Sequence, residues 1–209
     1  KIKFFFPSSI AVYGVDGKEQ SCKENDSLDP ITVYGSNKLY VEKLGINYST
    51  HNDQLSNNKY FIDFRSLRFP GLISSNTVPS GGTSDFIPEM WHNIKNYNMY
   101  ECFVHENSRL PFLAMPDAIK AINQLMAMSS EQIQSRIYNV TSFNPSASEF
   151  FKLIKEFYPK AKVFYNVNDV RQKIVDSWPS NIDDSLAKKE WGWSADYNLY
   201  RTINEYLQP

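Results

Sequence analysis

The sequence is poor in glycine, with eight in 209 residues, and none of them falls into the G-x-G-x-x-G spacing. That spacing builds the loop that cradles a pyrophosphate at a helix N-terminus, so no such loop is encoded here. Cysteine is nearly absent: Cys22 and Cys102 lie far apart. One disulfide between them stays open, but free thiols in an intracellular chain fit better. Histidine is equally scarce, and His51, His92 and His105 are too scattered to form a metal set with the cysteines; no metal is expected. An excess of one charge is also missing. The net charge is −1 and Lys188-Lys189 is too short to count as a basic patch, so neither nucleic acid nor an anionic membrane is an expected partner. No apolar run approaches the ~20 residues needed to span a bilayer.

What is present suits a globular unit with a sizeable core. Hydrophobic residues make up 42% of the chain and charged residues 22%, ordinary proportions for a globular protein, and the length suits one domain or one and a fraction. Ile2-Lys-Phe-Phe-Phe6 is nearly continuously apolar, as a strand buried in a parallel sheet requires. A turn-rich segment, Gly14 to Thr32, leads to a helix from Tyr34 to Ser49. Its apolar residues (Leu39, Tyr40, Leu44, Ile46 and Tyr48) cover more than one face, so the helix is expected to pack against the sheet and also against a partner subunit. Asn52 to Lys59 is polar and loop-like. Residues 60–69 read as a strand that must turn at Pro70-Gly71. The segment from Ile73 to Thr83, rich in Ser, Asn, Pro and Gly, has the composition of an active-site loop.

Helices are expected from Asp85 to Tyr97, from Pro116 to Ser129, from Ser146 to Phe157 behind a Ser146/Glu149 capping box, from Ser185 to Trp191 stopped by Gly192, and from Leu199 to Leu207. Short strands are expected over 99–104, 112–114, 138–141 and 162–167. Ser177-Trp178-Pro179 reads as a loop. Strand, helix, strand at the start implies a βαβ unit and a parallel sheet; the mixed second half implies a small α+β lobe at the carboxyl ends of those strands, where ligands bind in such folds. The fold class is therefore α/β.

The chemistry is concentrated in Pro7-Ser-Ser-Ile-Ala-Val-Tyr-Gly14 and Tyr34-Gly-Ser-Asn-Lys38. A tyrosine and a lysine four apart share one helix face. A cation there favours the phenolate of a side chain whose ordinary pKa is about 10, which makes a base of it. A serine at the end of a hydrophobic strand can hold a substrate hydroxyl beside that phenol. The same spacing recurs at Tyr158–Lys162, but Pro159 and the lack of an upstream serine pair mark that one as a helix end running into a strand. The bland reading of Tyr34, a helix-start tyrosine near a solvated lysine, lacks the strand-end serines and the turn-rich segment that surround it here.

These motifs, with Arg65-Ser-Leu-Arg-Phe-Pro-Gly71, resemble the extended short-chain dehydrogenase/reductases. Gly81-Gly-Thr-Ser-Asp-Phe86, Leu110-Pro-Phe-Leu-Ala-Met-Pro-Asp-Ala-Ile-Lys-Ala121, Asp169-Val-Arg-Gln-Lys-Ile-Val-Asp-Ser-Trp-Pro179 and Ile182-Asp-Asp-Ser-Leu-Ala-Lys-Lys-Glu-Trp-Gly-Trp193 are more specific. They occur in order and resemble the short-chain-type L-threonine 3-dehydrogenases. The resemblance implies a catalytic set of Ser9, Tyr34 and Lys38. It also implies contacts to the nicotinamide end of NAD from Ser8, Tyr34, Lys38 and the Pro70-Gly71-Leu72 turn, and an amino-acid pocket formed by Ser9, Tyr34, Gly82, Thr83 and Trp178. Trp178 can equally be a core aromatic, and Gly81-Gly82 a flexible loop. Arg171 can meet a substrate carboxylate, although a structural ion pair fits it better.

The family carries its phosphate loop ahead of the point where this chain begins, so roughly 100 residues, about three βα units, are expected to precede Lys1. The segment Asn52 to Lys59 reads as an insertion relative to the family. On this view residues 1–73 are the trailing part of a Rossmann-type NAD domain, and 74–209 are mainly the substrate lobe with some segments returning to the first domain. The resemblance implies oxidation of L-threonine to 2-amino-3-ketobutyrate with NAD, by a homodimer joined through helix 34–49, in cytoplasm or mitochondrial matrix. The 209 residues alone are expected to bind NAD negligibly. Two alternatives stay open: a nucleotide-sugar 4-epimerase or dehydratase, and a non-catalytic fragment or dimerisation module.

Overall fold

The computed structural model describes residues 2–14, 21–50, 62–79 and 81–208. The polar segment expected at 52–59 and the first two residues of the strand expected at 60–69 lie outside them. The chain runs β1 (Ile2–Ser9), a 3-10 turn (Ile10–Val12), β2 (Ser21–Cys22), α1 (Val33–Thr50), β3 (Ile62–Phe69) and β4 (Gly71–Ile73). Then come α2 (Phe86–Tyr97), β5 (Met99–Cys102), β6 (Phe112–Ala114), α3 (Met115–Ala127), β7 (Ile137–Asn139), α4 (Ala147–Phe157), β8 (Lys162–Tyr165), α5 (Asp169–Asp176), β9 (Asn181–Ile182) and α6 (Ser185–Trp191). The last helical stretch is α7 (Leu199–Arg201), which widens into a π-turn over Thr202–Leu207.

β1, β3 and β7 form a parallel sheet in that order, with Ile2 opposite Ile62 and Ser9 opposite Phe69. Three two-stranded parallel pairs, β2 with β9, β4 with β6 and β5 with β8, surround it. Side chains alternate across the sheet. Phe4, Phe6 and Phe64 stack under α1, while Leu67 and Phe69 join a core with α3 and α6 that includes Tyr138, Trp191 and Trp193. The cations of that second face cap the C-terminal end of α3. Lys3 donates to the Met126 and Met128 carbonyls, and Arg65, itself buried against Asp63, donates to those of Leu125 and Met128. Positive charge is favourable there because a helix ends on unpaired carbonyls.

The largest core belongs to the second half of the chain, where Phe86, Trp91, Phe112 and Phe150 are enclosed by α2, α4 and the strands around them. A third, small core, Ile10, Val12, Tyr13, Cys22, Leu39 and Ile182, lies under the 3-10 turn. Both cysteines are buried and free, and burial pushes the Cys102 thiol up to about 11.

The expected helices are present within a residue or two. Gly192 ends α6 at φ +70°, a conformation that favours glycine. The capping box at α4 is complete: Glu149 N donates to Ser146 Oγ, and Ser146 N donates to the Glu149 carboxylate. Five elements differ from expectation, among them β4, which occupies Gly71–Ile73 where the chain was expected to turn and run on as a loop. Helix α5 was not anticipated, because its sequence is mostly polar and only Gln172 and Val175 are buried. β2 falls inside the turn-rich segment 14–32, and β9 in a stretch to which no element was assigned. The last helix is α-helical only over Leu199–Arg201.

The α4 cap has a pH signature. The Arg109 bond and the Ser146 backbone N–H hold the Glu149 carboxyl below its usual range. A depressed folded pKa contributes stability above the unfolded value of 4.5 and loses it as pH falls through the folded pKa. Glu149→Gln, which can still make the cap and loses only its charge, should cost roughly 0.3–0.5 kcal/mol at pH 7. In urea unfolding the deficit should shrink steadily below pH 4.5, as the wild type loses the same charge.

Candidate active site

The serines of Pro7-Ser8-Ser9 stand at the carboxyl end of β1, and the helix bearing Tyr34 and Lys38 starts beside them. Thr32 caps that helix by accepting from Gly35 N at 3.0 Å. Gly35 is required where it stands, since a Cβ there would lie 2.1 Å from the Ala11 carbonyl oxygen. The start of α1 therefore rests directly on the 3-10 turn that follows Ser9. Ser9 caps that turn, its Oγ accepting from Ala11 N at 3.2 Å. A serine hydroxyl has one donor and two acceptor sites, so this cap leaves its proton for a ligand.

Lys38 crosses back from the helix to the strand. Its Nζ donates to the Pro7 carbonyl at 2.6 Å and lies 4.9 Å from the Phe6 ring centre and 5.3 Å from that of Tyr34. Partial burial lowers its pKa below that of a free lysine, because water is withdrawn from the charge. The ammonium is thus fixed by a carbonyl and two ring faces beside the phenol.

These groups share a cavity of about 630 Å³, within the range of small-molecule sites. One wall is Ser8, Ser9, Ile10, Thr32, Tyr34 and Lys38; another is Phe69–Leu72, where β3 passes into β4; the rest is Gly82 to Asp85 and Trp178. All nine residues singled out from the sequence (Ser8, Ser9, Tyr34, Lys38, Pro70, Leu72, Gly82, Thr83 and Trp178) line it. Ser8 differs from expectation in one respect. Its residue lines the cavity, but its hydroxyl donates to Glu42 at 2.5 Å and the side chain is buried. Thr32, Ser84 and Asp85 were missed. Thr32 was legible as a helix cap, and Asp85 as the residue ahead of α2.

The loop on the far wall is tied down. Asp85 accepts from Gly82 N at 2.6 Å. Arg171 donates to the Gly82 carbonyl at 2.7 Å, lies over the Phe103 ring and approaches Glu89 at 3.5 Å. It is a structural residue behind the loop, and none of the described residues lining the cavity is an arginine. Among the described residues no three His, Cys, Asp or Glu side chains gather as a metal site, and no helix is long and apolar enough to cross a membrane.

The residues present fit a nicotinamide riboside and a small polar substrate: hydroxyls and one ammonium on one wall, apolar Leu72 and Trp178 on the others. They do not supply the amide cradle for a pyrophosphate.

The family model "NAD dependent epimerase/dehydratase family" matches residues 1–141. The chain is 32% identical over 206 residues to the mitochondrial L-threonine 3-dehydrogenase of Bos taurus, covering 99% of this chain and 53% of that protein. It is 36% identical to an uncharacterised epimerase/dehydratase of Staphylococcus haemolyticus, covering 95% of this chain and 60% of that one. The crystal structure of L-threonine dehydrogenase from Phytophthora infestans superposes with a TM-score of 0.88 at 34% identity, covering 97% of this chain and 63% of that one. The chain thus spans about half the length of the bovine relative it matches.

Trp178 both lines the cavity and packs against the large core and the small one under the 3-10 turn. Trp178→Ala should lower stability by about 2–3 kcal/mol in urea unfolding, less than for a fully enclosed ring. Trp178→Phe should recover most of that loss.

Proposed function

The chain belongs to the NAD dependent epimerase/dehydratase family, and from that premise we propose that it is the catalytic and substrate-binding part of a short-chain-type L-threonine 3-dehydrogenase, equivalent to the C-terminal two-thirds of such an enzyme. The observation that carries this is the convergence of Ser9, Tyr34 and Lys38 with Gly82, Thr83 and Trp178 around one cavity. Residues 1–73 contribute the strand ends and helix of the cofactor domain, and residues 74–209 mainly the substrate lobe. The identity to the bovine and Phytophthora enzymes supports the choice of substrate.

NAD, when bound, supplies the hydride acceptor; Tyr34, Lys38 and the Pro70–Leu72 segment would hold its nicotinamide end, while the Ser8 hydroxyl is committed to Glu42. Ser9 donates a hydrogen bond to the β-hydroxyl of L-threonine and Tyr34 takes its proton. Lys38 stabilises the negative charge that develops on the phenol oxygen. Pro7 keeps that ammonium in place through its carbonyl. Thr83, Gly82 and Trp178 close over the amino acid and exclude water. The product is 2-amino-3-ketobutyrate.

A nucleotide-sugar epimerase or dehydratase would use the same serine, tyrosine and lysine. It must also grip a diphosphate, for which arginine forks are suited, and the described cavity walls carry none. The helix of residues 34–49 is the proposed dimer contact, because Tyr40, Leu44 and Tyr48 are exposed on its outer side.

Three outcomes follow for the intact protein. It should produce NADH with L-threonine and not with a UDP-sugar; the reverse would replace this reading by the epimerase one. Tyr34→Phe should reduce kcat by at least about 100-fold. Its melting temperature should hardly move, since exposed substitutions change stability by roughly 0.5 kcal/mol or less. Tyr48→Glu should convert a dimer to a monomer in light scattering, and a wild type already monomeric would remove the dimer proposal.

A further inference from the structure

Tyr34, Lys38 and Glu42 follow one another at four-residue steps along α1, which places them in one stripe down the helix. The first two open on the cavity. Glu42 does not: it is 1% exposed, and its carboxylate is received by two neighbouring strands. Ser8 and Arg68 are register partners on β1 and β3, so their side chains leave the same face of the sheet. Ser8 Oγ donates to Glu42 Oε1 at 2.5 Å. Arg68 closes a two-pronged bond on the same carboxylate, Nε to Oε1 at 2.9 Å and Nη2 to Oε2 at 2.7 Å.

The remaining arm of the guanidinium reaches elsewhere. Arg68 Nη1 donates to the Tyr13 hydroxyl at 2.8 Å and to the Glu24 carbonyl at 2.9 Å. Tyr13 closes the 3-10 turn that Ser9 opens, and its hydroxyl donates on to Asn139 of β7 at 2.9 Å. Burial pushes the Tyr13 phenol up to about 12, against the pull of Arg68, so it stays neutral. One guanidinium thus joins the helix that carries Tyr34 and Lys38 to the turn that carries Ser9.

Stability does not explain such a pair. Replacing a buried ion pair by well-packed apolar side chains is often neutral or stabilising. What the charges provide here is direction: a fork fits a carboxylate in one register and cannot slide along the helix as an apolar contact can.

We propose that Glu42, held by Arg68 and Ser8, is the positioning residue of the Ser9–Tyr34–Lys38 set, fixing the axial register of α1 against β1 so that the phenol and the serine hydroxyl meet at one substrate atom. Ser8, whose place in the motif pointed to the cofactor, acts through this carboxylate. The inference rests on the proposed hydroxyl oxidation for its kinetic readout, and on α1 alone for its structural one.

Two variants of the intact protein test it. Glu42→Gln keeps the shape and removes the charge but strands the guanidinium. Glu42→Gln combined with Arg68→Met removes both charges, which separates loss of register from the cost of an unpaired ion. With L-threonine and NAD, both variants should lose about 10–100-fold in kcat, the scale of an ångström-sized misplacement, with KM little changed. The thermal midpoint of the double variant should return toward wild type while its kcat does not. The pH–rate profile should shift upward, as Lys38 leaves its fixed place beside Tyr34. The other titratable group on the described cavity wall is Asp85; those meeting the Glu42–Arg68 pair are Tyr13 and, through its carbonyl, Glu24.

Hydrogen exchange gives a readout independent of substrate. In the double variant, amides of residues 10–13 and of the first two turns of α1 should exchange at least 10-fold faster, with α2 and α4 unchanged. A double variant with wild-type kcat and pH profile overturns the proposal. So does a kcat that recovers together with the thermal midpoint, and so does unchanged exchange in α1. A wild type inactive on L-threonine, with exchange in the double variant altered as described, sinks the substrate assignment and leaves the positioning role standing.

Discussion

Lys38 and Glu42, one turn apart on α1, are bound to Pro7 and Ser8, consecutive residues of β1. Two adjacent rungs of the strand thus meet two adjacent turns of the helix, one through an ammonium and a carbonyl, the other through a carboxylate and a hydroxyl. Close approach makes this possible. Gly35 lets the helix backbone rest on the Ala11 carbonyl, and Gly45 lets it rest on the Phe64 ring, where a Cβ would lie 2.3 Å from the ring carbons. The cavity is a consequence of that docking. Its polar wall is the place where helix start, strand end and 3-10 turn converge above the clamp.

The two faces of the β1–β3–β7 sheet use charge differently. Toward α3, Asp63 is held below the usual carboxylate range: burial opposes this, but bonds from Arg65 and Ser130 and the Arg136 charge outweigh it. That cluster binds helix carbonyls. Toward α1, the apolar stack of Phe4, Phe6 and Phe64 gives way near the carboxyl end to Ser8, Arg68 and Glu42. Burial works against the Arg68 charge, but Glu42 and Tyr13 more than offset it and hold the guanidinium above its ordinary pKa. A gradient from apolar to polar along one face brings buried charge to within a turn of the reacting groups, while the buried charges of the opposite face serve the end of α3.

Much of this was legible in the sequence, for identifiable reasons. Strong local signals carried α2, α4 and α6: a periodic apolar face, a complete capping box, a glycine at the left-handed end position. The site residues were legible because two short motifs fix them by spacing on elements that must meet. Helix α5 was not, since Asp169-Val-Arg-Gln-Lys-Ile-Val-Asp176 looks solvated; the Asn168 cap, which accepts from Arg171 N at 3.0 Å, was its signal. β2 and β9 are two residues each and owe their pairing to tertiary contact alone. Glu42 and Arg68 were invisible as partners. A glutamate in a helix reads as solvent-facing, and only the β1–β3 register reveals that Ser8 and Arg68 stand together beneath it.

The inner surface of α1 is therefore fully committed, and this bears on its outer surface. Tyr40, Leu44 and Tyr48 lie outside, and Val41, Leu44 and Tyr48 with Phe4, Ile62 and Phe64 border an apolar groove at the far end from the catalytic residues. On the sheet side β1 is an edge strand among the described residues, with Ile2 and Phe4 exposed. A strand edge asks for backbone hydrogen bonds, whereas a helix face asks for side-chain packing. The two surfaces are thus satisfied by different kinds of neighbour. If a second helix covers Tyr40 and Tyr48, its pressure falls on a helix already locked at Pro7, Ser8 and Arg68. Contact there would stiffen the position of Tyr34 and Lys38 without altering their register, because the buried carboxylate has only one place to sit.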